Sequence, residues 1–243
     1  MARRRFFVDG VHSGLAELTG DNAHHLTRVL RVEVGQQYEI SDNHRVYLSE
    51  VETARKERVV FRIVEEIPGK LPPISLTLVV SLIKFERLEL ILEKATELGA
   101  ERILPVIAAR SEKGLDRAAV KRIDRWRKIV LEASQQSRRT RLPVLENPAA
   151  LRHALALNAG HRYMLEEISG GQPLLAALPA RLTAEAALLV GPEGGWTDPE
   201  REQATAAGWI PVSLGPQILR TETAAIAAMG VIMCKAAQDS TSV

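Results

Sequence analysis

The chain has 243 residues, 46% of them hydrophobic and 4% aromatic, with a formal net charge of +2. That length allows one large domain or two smaller ones, and the apolar fraction suffices for a sizeable core of Leu, Ile, Val and Ala. A single cysteine, Cys234, excludes an internal disulfide and points to a reducing compartment, and no run approaches the ~20 apolar residues that a membrane helix needs.

The small net charge hides an asymmetry. Residues 1–70 are balanced, 71–141 carry 15 basic and 9 acidic residues, and 142–243 carry 6 and 10. The basic excess lies mostly between Arg110 and Arg141. It suits a polyanionic partner, and equally a solvated helix face.

In chain order, "MARRRFFVDG" is basic, but Asp9 and Glu17 follow without a long apolar region, so it does not read as a signal peptide and a cytoplasmic location is expected. Residues 1–70 read as a small β-rich domain. "QYEISDN" and "RVYLSEVETA" alternate around an Asp42-Asn43 turn, and "RVVFRIVEEI" is a third strand. A short helix is expected near "DNAHHLTRVLR" with Asp21 as its cap. "PGKLPP", Pro68 to Pro73, punctuates the chain as a linker.

From residue 74 strands alternate with helices, the pattern of a parallel sheet covered on both faces. "ISLTLVVSLI" is a buried strand, and "KFERLELILEKATELG" is an amphipathic helix with Gly99 at its C-terminal cap. "RILPVIA" is the next strand. A basic helix over Ala118–Gln136 turns Ile123, Trp126, Ile129, Val130 and Ala133 inward. "HRYMLEE" and "AEAALLVGPEGG" add strands, "EREQATAAG" a helix, and "IPVSLG" a last strand before an apolar terminal helix that holds Cys234 in its core.

Ligands of parallel sheets bind at the carboxyl ends of strands, and two connections there are unusual. "LLVGPEGGWTDPE" places Gly191, Gly194 and Gly195 after a buried strand, with Thr197 and Glu200 at capping-box spacing. It is neither GxGxxG nor GxxxxGK[ST], so a dinucleotide site and a P-loop are not supported. No His, Cys or carboxylate grouping has metal-ligand spacing. "SLGPQILRTETAAIAAMG" sets Arg220, Thr221, Glu222 and Thr223 between a strand and an alanine-rich helix. Thr221 suits an N-cap and Glu222 suits the helix dipole, but Arg220 is left without a structural reason. A third stretch, "EASQQSRRTRLP", ends the basic helix with residues suited to phosphate.

These two loops, with "KFERLELILEKATELGAERILPV" and "EASQQSRR" in that order, resemble the bacterial small-subunit ribosomal RNA uridine N3-methyltransferases of the SPOUT class. "RRRFFVDG" and "HHLTRVLRVEVGQ" resemble that family's PUA-like RNA-binding domain. Gln217 stands where a basic residue is expected, and Trp196 where a smaller apolar one is common. The resemblance implies a PUA-like domain over 1–70 and an α/β methyltransferase domain over 74–243, a SPOUT-type knotted parallel sheet with helices on both faces. Threaded chains are rare, so the knot enters by resemblance alone.

The resemblance also implies an S-adenosylmethionine site formed by Leu165, Val190, Gly191, Pro192, Glu193, Gly195, Leu214, Gly215, Leu219, Thr223 and Ala224. Arg220 would stabilise charge on the uracil oxygens and Glu222 would accept the N3 proton or hold Arg220. Arg3, Arg4, Arg5, His25, Arg28, Arg31, Lys84, Arg87, Arg138 and Arg139 would contact ribosomal RNA, within the small subunit, and the chain would act as a homodimer. A non-catalytic RNA-binding factor and a methyltransferase for another RNA position are the alternatives.

Overall fold

The computed structural model describes residues 4–167, 172–182 and 185–241. They form two compact units: Met1–Leu71 with Ser134–Leu142, and Pro72–Ala133 with Pro143–Val243.

The first unit contains β1 (Arg5–Phe7), β2 (Val11–His12), β3 (Leu15–Thr19), α1 (Gly20–Arg28), β4 (Gln37–Ser41), β5 (Val46–Arg55) and β6 (Arg58–Ile67). Its sheet runs β1-β4-β5-β6-β3-β2, antiparallel except for the β1–β4 pair. The 4–5 and 5–6 pairings are the hairpins expected from alternation, and Asn43 turns the first with φ +68°. Strands β1 and β2, of three and two residues, are too short to announce themselves in the sequence. Phe6, Ile40, Val51, Val59 and Phe61 form the core with Ala23 and Leu26 of α1. Asp21 is not the cap of α1: Thr19 holds that position, and Asp21 lies in the first turn, where its charge suits the helix dipole.

The segment Ser134–Leu142 belongs to this unit, which the division near residue 70 did not anticipate. Ser41 Oγ donates to the Thr140 carbonyl at 2.6 Å, Thr140 Oγ1 donates to the Lys70 carbonyl at 3.0 Å, and the Leu142 amide donates to Asn43 Oδ1 at 3.0 Å.

The second unit contains β7 (Leu76–Ser81), α2 (Phe85–Glu97), β8 (Arg102–Ile107), α3 (Leu115–Val120), α4 (Ile123–Gln136, its last turn counted with the first unit), β9 (Val144–Leu145), β10 (Ala149–Ala150) and α5 (Leu151–Leu155). It continues with β11 (His161–Leu165), β12 (Gln172–Pro173), α6 (Leu174–Ala177), β13 (Ala186–Val190), α7 (Asp198–Ala206), β14 (Ile210–Ser213) and α8 (Thr221–Thr241). The one basic helix expected over 118–136 is two. The amides of Lys121 and Arg122 bond three residues back, to Ala118 and Ala119, and this tighter turn ends α3 before α4 begins.

The sheet order is β10-β8-β7-β13-β11-β14-β12, with β9 also on β8, and every pairing is parallel. Side chains alternate across it with period two. Leu76, Leu78, Val80, Tyr163, Leu165, Leu188 and Val190 face one layer, formed by α2, α4, α6 and α8. Val79, Met164, Ala187 and Leu189 face the other, formed by α5, α7 and the tryptophans 196 and 209. Burial on both faces explains why the strands read as continuous apolar runs.

The chain leaves β11, crosses one face through α6, and returns as β13 between β7 and β11. It then crosses the opposite face through α7 to place β14 beyond β11, and α8 comes back to the first face against α2 and β13. Helices therefore cover both faces of a wholly parallel sheet. The backbone of the β11–β13 connection is tied to the end of α8, where the Leu182 amide donates to Asp239 Oδ2 at 2.7 Å. Cys234 corrects an expectation: it is exposed, not core. Helix α8 buries Ala225, Ala228, Met229, Ile232 and Ala236, and at ~100° per residue position 234 lies diametrically opposite that stripe.

Candidate active site

Because all strands of the second unit run in parallel, their carboxyl ends share one edge. A cavity of about 270 Å³ opens there, beyond β11, β13 and β14. Its walls include Leu165, Val190, Gly191, Pro192, Gly195, Leu214, Gly215, Leu219 and Ala224, nine of the eleven cofactor residues that the resemblance implied. Glu193 and Thr223 are not in the lining. Arg110, Glu166, Glu167, Gly194, Trp196, Arg201, Gln217 and Thr221 are.

The Gly191–Gly195 loop is shaped from beneath by Trp196. The indole is 1% exposed, and its Nε1–H donates to the Leu165 carbonyl at 3.1 Å, joining the ends of β11 and β13. The ring occupies the space that a side chain on Gly191 would need, since a Cβ there would lie 3.0 Å from Trp196 Cε2 and 3.1 Å from Nε1. Gly195 takes φ +66°, a conformation that glycine adopts without strain. Arg110, after β8, donates from Nη1 to the Gly194 carbonyl at 2.7 Å and to the Trp196 carbonyl at 3.3 Å. Thr197 and Glu200 close the expected capping box. Glu200 does more than cap, because its Oε1 accepts from the Ala109 amide at 2.7 Å. The loop is thus held rigid by groups from three strand ends, so its glycine backbone forms a preorganised wall.

The second wall is the seam before α8. Gly215 has φ +123° and carries the chain out of β14. The Arg220 carbonyl accepts the first helical bond, from the Ala224 amide at 2.8 Å, so Arg220 holds the N-cap position. Thr221, expected there, is the first helical residue and is buried. Arg220 is exposed, lies between the lining residues Leu219 and Thr221, and has no side-chain partner among the described residues.

Glu222 is not paired with Arg220. Its partner is Arg87 in the first turn of α2, with Nε 3.9 Å from Glu222 Oε1, while Arg87 Nη1 donates to Glu193 Oε1 at 3.2 Å. Glu222 Oε2 is buried with no hydrogen-bond donor among the described residues. At the third strand end, Glu166 Oε2 accepts from Arg201 Nε at 2.8 Å, and that bond raises the Arg201 pKa.

The residues suggested for RNA divide into two groups. Arg4, His25, Arg28, Arg31 and Lys84 are exposed, and none of them is in an ion pair among the described residues. Arg28 and His25 share the outer face of α1 with the exposed Val29. Arg3 lies outside the described residues. Arg5, expected at the surface, is 4% exposed: it donates to the buried Glu39 from Nε and Nη2, at 3.1 and 2.7 Å, and from Nη1 to the Arg138 carbonyl. Arg138 also donates to Glu39, and Arg139 is buried with Nε on the Arg141 carbonyl at 3.0 Å. The buried Glu39 carboxyl thus has two guanidinium groups beside it, from Arg5, which is buried with it, and from Arg138, which stays exposed. On α4, Arg125 and Arg122 reach Glu89 of α2; hydrogen bonds from Arg125 hold the Glu89 carboxyl below the usual carboxylate range.

Arg110, Glu166 and Arg201 were missed as site residues, since each is an ordinary charge in its own stretch of sequence. The capping-box glutamate was legible, but its bond to the β8 loop was not.

The glycine cradle with apolar walls suits a small ligand held by backbone groups, and comparison with known proteins says which family built it. The RNA methyltransferase domain family matches residues 70–233 and the RNA methyltransferase PUA domain family matches 18–64. The chain is 36% identical to the ribosomal RNA small subunit methyltransferase E of Mycobacterium bovis, covering 96% of this chain and 92% of that one. It is 31% identical to the Bacillus subtilis protein of that name, over 94% and 95% of the two chains. The crystal structure of the Neisseria gonorrhoeae protein of that name, bound to S-adenosyl methionine, is 29% identical and superposes with a TM-score of 0.86 over 96% of this chain and 98% of that one. The chain belongs to the ribosomal RNA small subunit methyltransferase E family.

Proposed function

We propose that this protein transfers a methyl group from S-adenosylmethionine to N3 of a uridine in small-subunit ribosomal RNA, as a cytoplasmic homodimer. The observation that carries the reading is the juxtaposition at one strand edge of a glycine-walled cavity, an exposed Arg220 and Glu222, where among the described residues Arg220 has no side-chain partner and the buried Glu222 Oε2 no donor. S-adenosylmethionine supplies an electrophilic methyl group when bound. Gly191, Gly195 and Gly215 fit it, because side chains there would fill or strain the cradle, and Leu165, Val190, Leu214 and Leu219 offer apolar walls.

The imide N3 of uracil is a weak acid and must lose its proton as it is alkylated. Glu222 has a free acceptor oxygen for that proton. Arg220, a permanent cation, stabilises the negative charge that spreads onto the uracil oxygens. N3 faces the partner strand in a paired base, so the target uridine is unpaired or flipped out. Arg4, His25, Arg28, Arg31 and Lys84 are the cations free to hold RNA phosphates, whereas Arg5 and Arg139 are withdrawn from solvent. The outer face of α8, with Ala227 and Cys234 exposed, is the surface offered for a second copy.

The test is methyl transfer from labelled S-adenosylmethionine to undermethylated small subunits and to naked ribosomal RNA, followed by mapping of the modified nucleotide. Label at a uridine N3 supports the reading. Label at another atom supports a different RNA methyltransferase, and no label supports a non-catalytic RNA-binding factor. Arg220→Ala should lower the transfer rate far more than it weakens cofactor binding; lost binding with unchanged turnover at saturation excludes the role given to Arg220.

A further inference from the structure

Arg87 is in the first turn of α2, the third residue after the Lys84 cap. A cation there opposes the positive end of the helix dipole, so local structure gives no reason for it. Two carboxylates from other elements do. Glu193, at the tip of the β13–α7 loop, accepts from Nη1 at 3.2 Å, and Glu222 Oε1 of α8 lies 3.9 Å from Nε. Among the described residues Arg87 is the one cation within ion-pair range of Glu222, whose side chain is 12% exposed. Arg220, two residues before Glu222, points its charge to solvent instead.

We infer that Arg87 is a positioning residue for Glu222, acting through that carboxylate and not on RNA. An arginine already set between two carboxylates would meet a phosphate with two negative charges beside it, which makes it a poor backbone contact. Its geometry gives it a different task. It pairs with Oε1 from one side, while Oε2 is buried without a donor among the described residues, and through Glu193 it links the same cation to the glycine-loop wall. A carboxylate with one oxygen paired and the other unpartnered is fixed in direction, as a proton acceptor must be. The inference rests on the function proposed above only for its kinetic consequence; the coupling of Arg87 to Glu222 does not depend on it.

Two measurements test it. In single-turnover methyl transfer, Arg87→Ala should lower the rate constant about tenfold or more, with RNA affinity and its salt dependence unchanged, and Arg87→Lys should recover part of the rate. In a Glu222→Gln background, Arg87→Ala should cost nothing further, because residues that act as a unit are not additive. If Arg87 is an RNA contact, the outcome differs: RNA affinity falls, the slope of log affinity against log salt drops by about 1, and the loss persists in Glu222→Gln. That result overturns the inference. The second measurement needs no substrate. Thermal unfolding of the two single variants and the double variant should show coupling, with Arg87→Ala lowering Tm about 2–4 °C more when Glu222 is present than when it is Gln. Additive shifts overturn the inference even if the methyl-transfer reading stands. Coupled shifts without methyl transfer to any RNA would retain the ion pair and reject the function.

Discussion

Gly191→Ala is the smallest change that should disable the cofactor pocket. The added Cβ would sit 3.0, 3.1 and 3.4 Å from three atoms of the Trp196 ring, whereas carbon atoms pack best at about 3.5–4.0 Å. The ring must give way by about half an ångström in places. It has little freedom to do so, being 1% exposed and held by its Nε1–H on the Leu165 carbonyl at 3.1 Å. Overpacking of this kind costs about 1–3 kcal/mol, and stretching the indole bond beyond hydrogen-bond range adds about 1–3 kcal/mol for a buried unsatisfied donor. These overlap, so about 2–3 kcal/mol is expected in all. For a chain of this size that lowers Tm by about 4–12 °C. Because Leu165, Gly191 and Trp196 all line the cavity, S-adenosylmethionine affinity should fall about tenfold or more. Differential scanning fluorimetry and titration calorimetry read the two effects. Trp196→Leu should relieve the clash, so the double variant should bind better than Gly191→Ala alone. A Gly191→Ala protein with parental Tm and parental cofactor affinity would refute the account of Trp196 as the floor of this loop.

Arg110→Ala removes the donor to the Gly194 and Trp196 carbonyls; at about 1.5–3 kcal/mol for a charged hydrogen bond, calorimetry should show cofactor binding weakened about 10- to 100-fold with the fold intact by circular dichroism. Charge reversal at Arg28 or Arg31 should weaken RNA binding across sequences and reduce the salt slope by about 1 per residue, leaving S-adenosylmethionine affinity unchanged. Reversal at Arg138, in contrast, sets a new carboxylate beside buried Glu39 and should lower Tm, so its effect on RNA would follow unfolding. Asp239 is held below its ordinary value of 3.8 by the Leu182 amide and then by Lys235. A depressed carboxyl stabilises the fold above the unfolded value and ceases to do so as pH falls through the folded one. Hydrogen exchange at the Leu182 amide should therefore accelerate below about pH 3.8 in the parent, while Asp239→Asn should lack that step.

The alternation of strands and helices after residue 74 was legible because each strand is buried on both faces and each long helix on one. Leu78 and Val79 face opposite layers, yet both read as apolar, so the sheet was visible and its strand order was not. Period also misled where it was weak. Helix α8 is so rich in alanine that nothing in the sequence marked Cys234 as outward, and α3 and α4 read as one helix because their join is set by two three-residue bonds. The glycines and apolar walls of the pocket were legible by resemblance to a family. The charged network was not. Arg220 and Glu222 look like partners because they are close in sequence, but positions two apart on a helix do not face each other, and Glu222 finds Arg87 from a helix far upstream. Glu39 likewise gathers Arg5 and Arg138 from 34 and 99 residues away. Ion pairing at such separations leaves no periodic trace.

The return of Ser134–Leu142 to the first unit has a practical consequence for anyone who wishes to move that unit. Its polypeptide is discontinuous: the gene for residues 1–71 encodes the whole sheet but omits the nine-residue strap. A fragment cut at that point would leave Glu39 with half its cations, Ser41 without its acceptor, and Asn43 without its amide donor. Transplanting this module onto another protein therefore requires a graft in two pieces, and a chimera joined only at the proline-rich linker would inherit an incomplete fold.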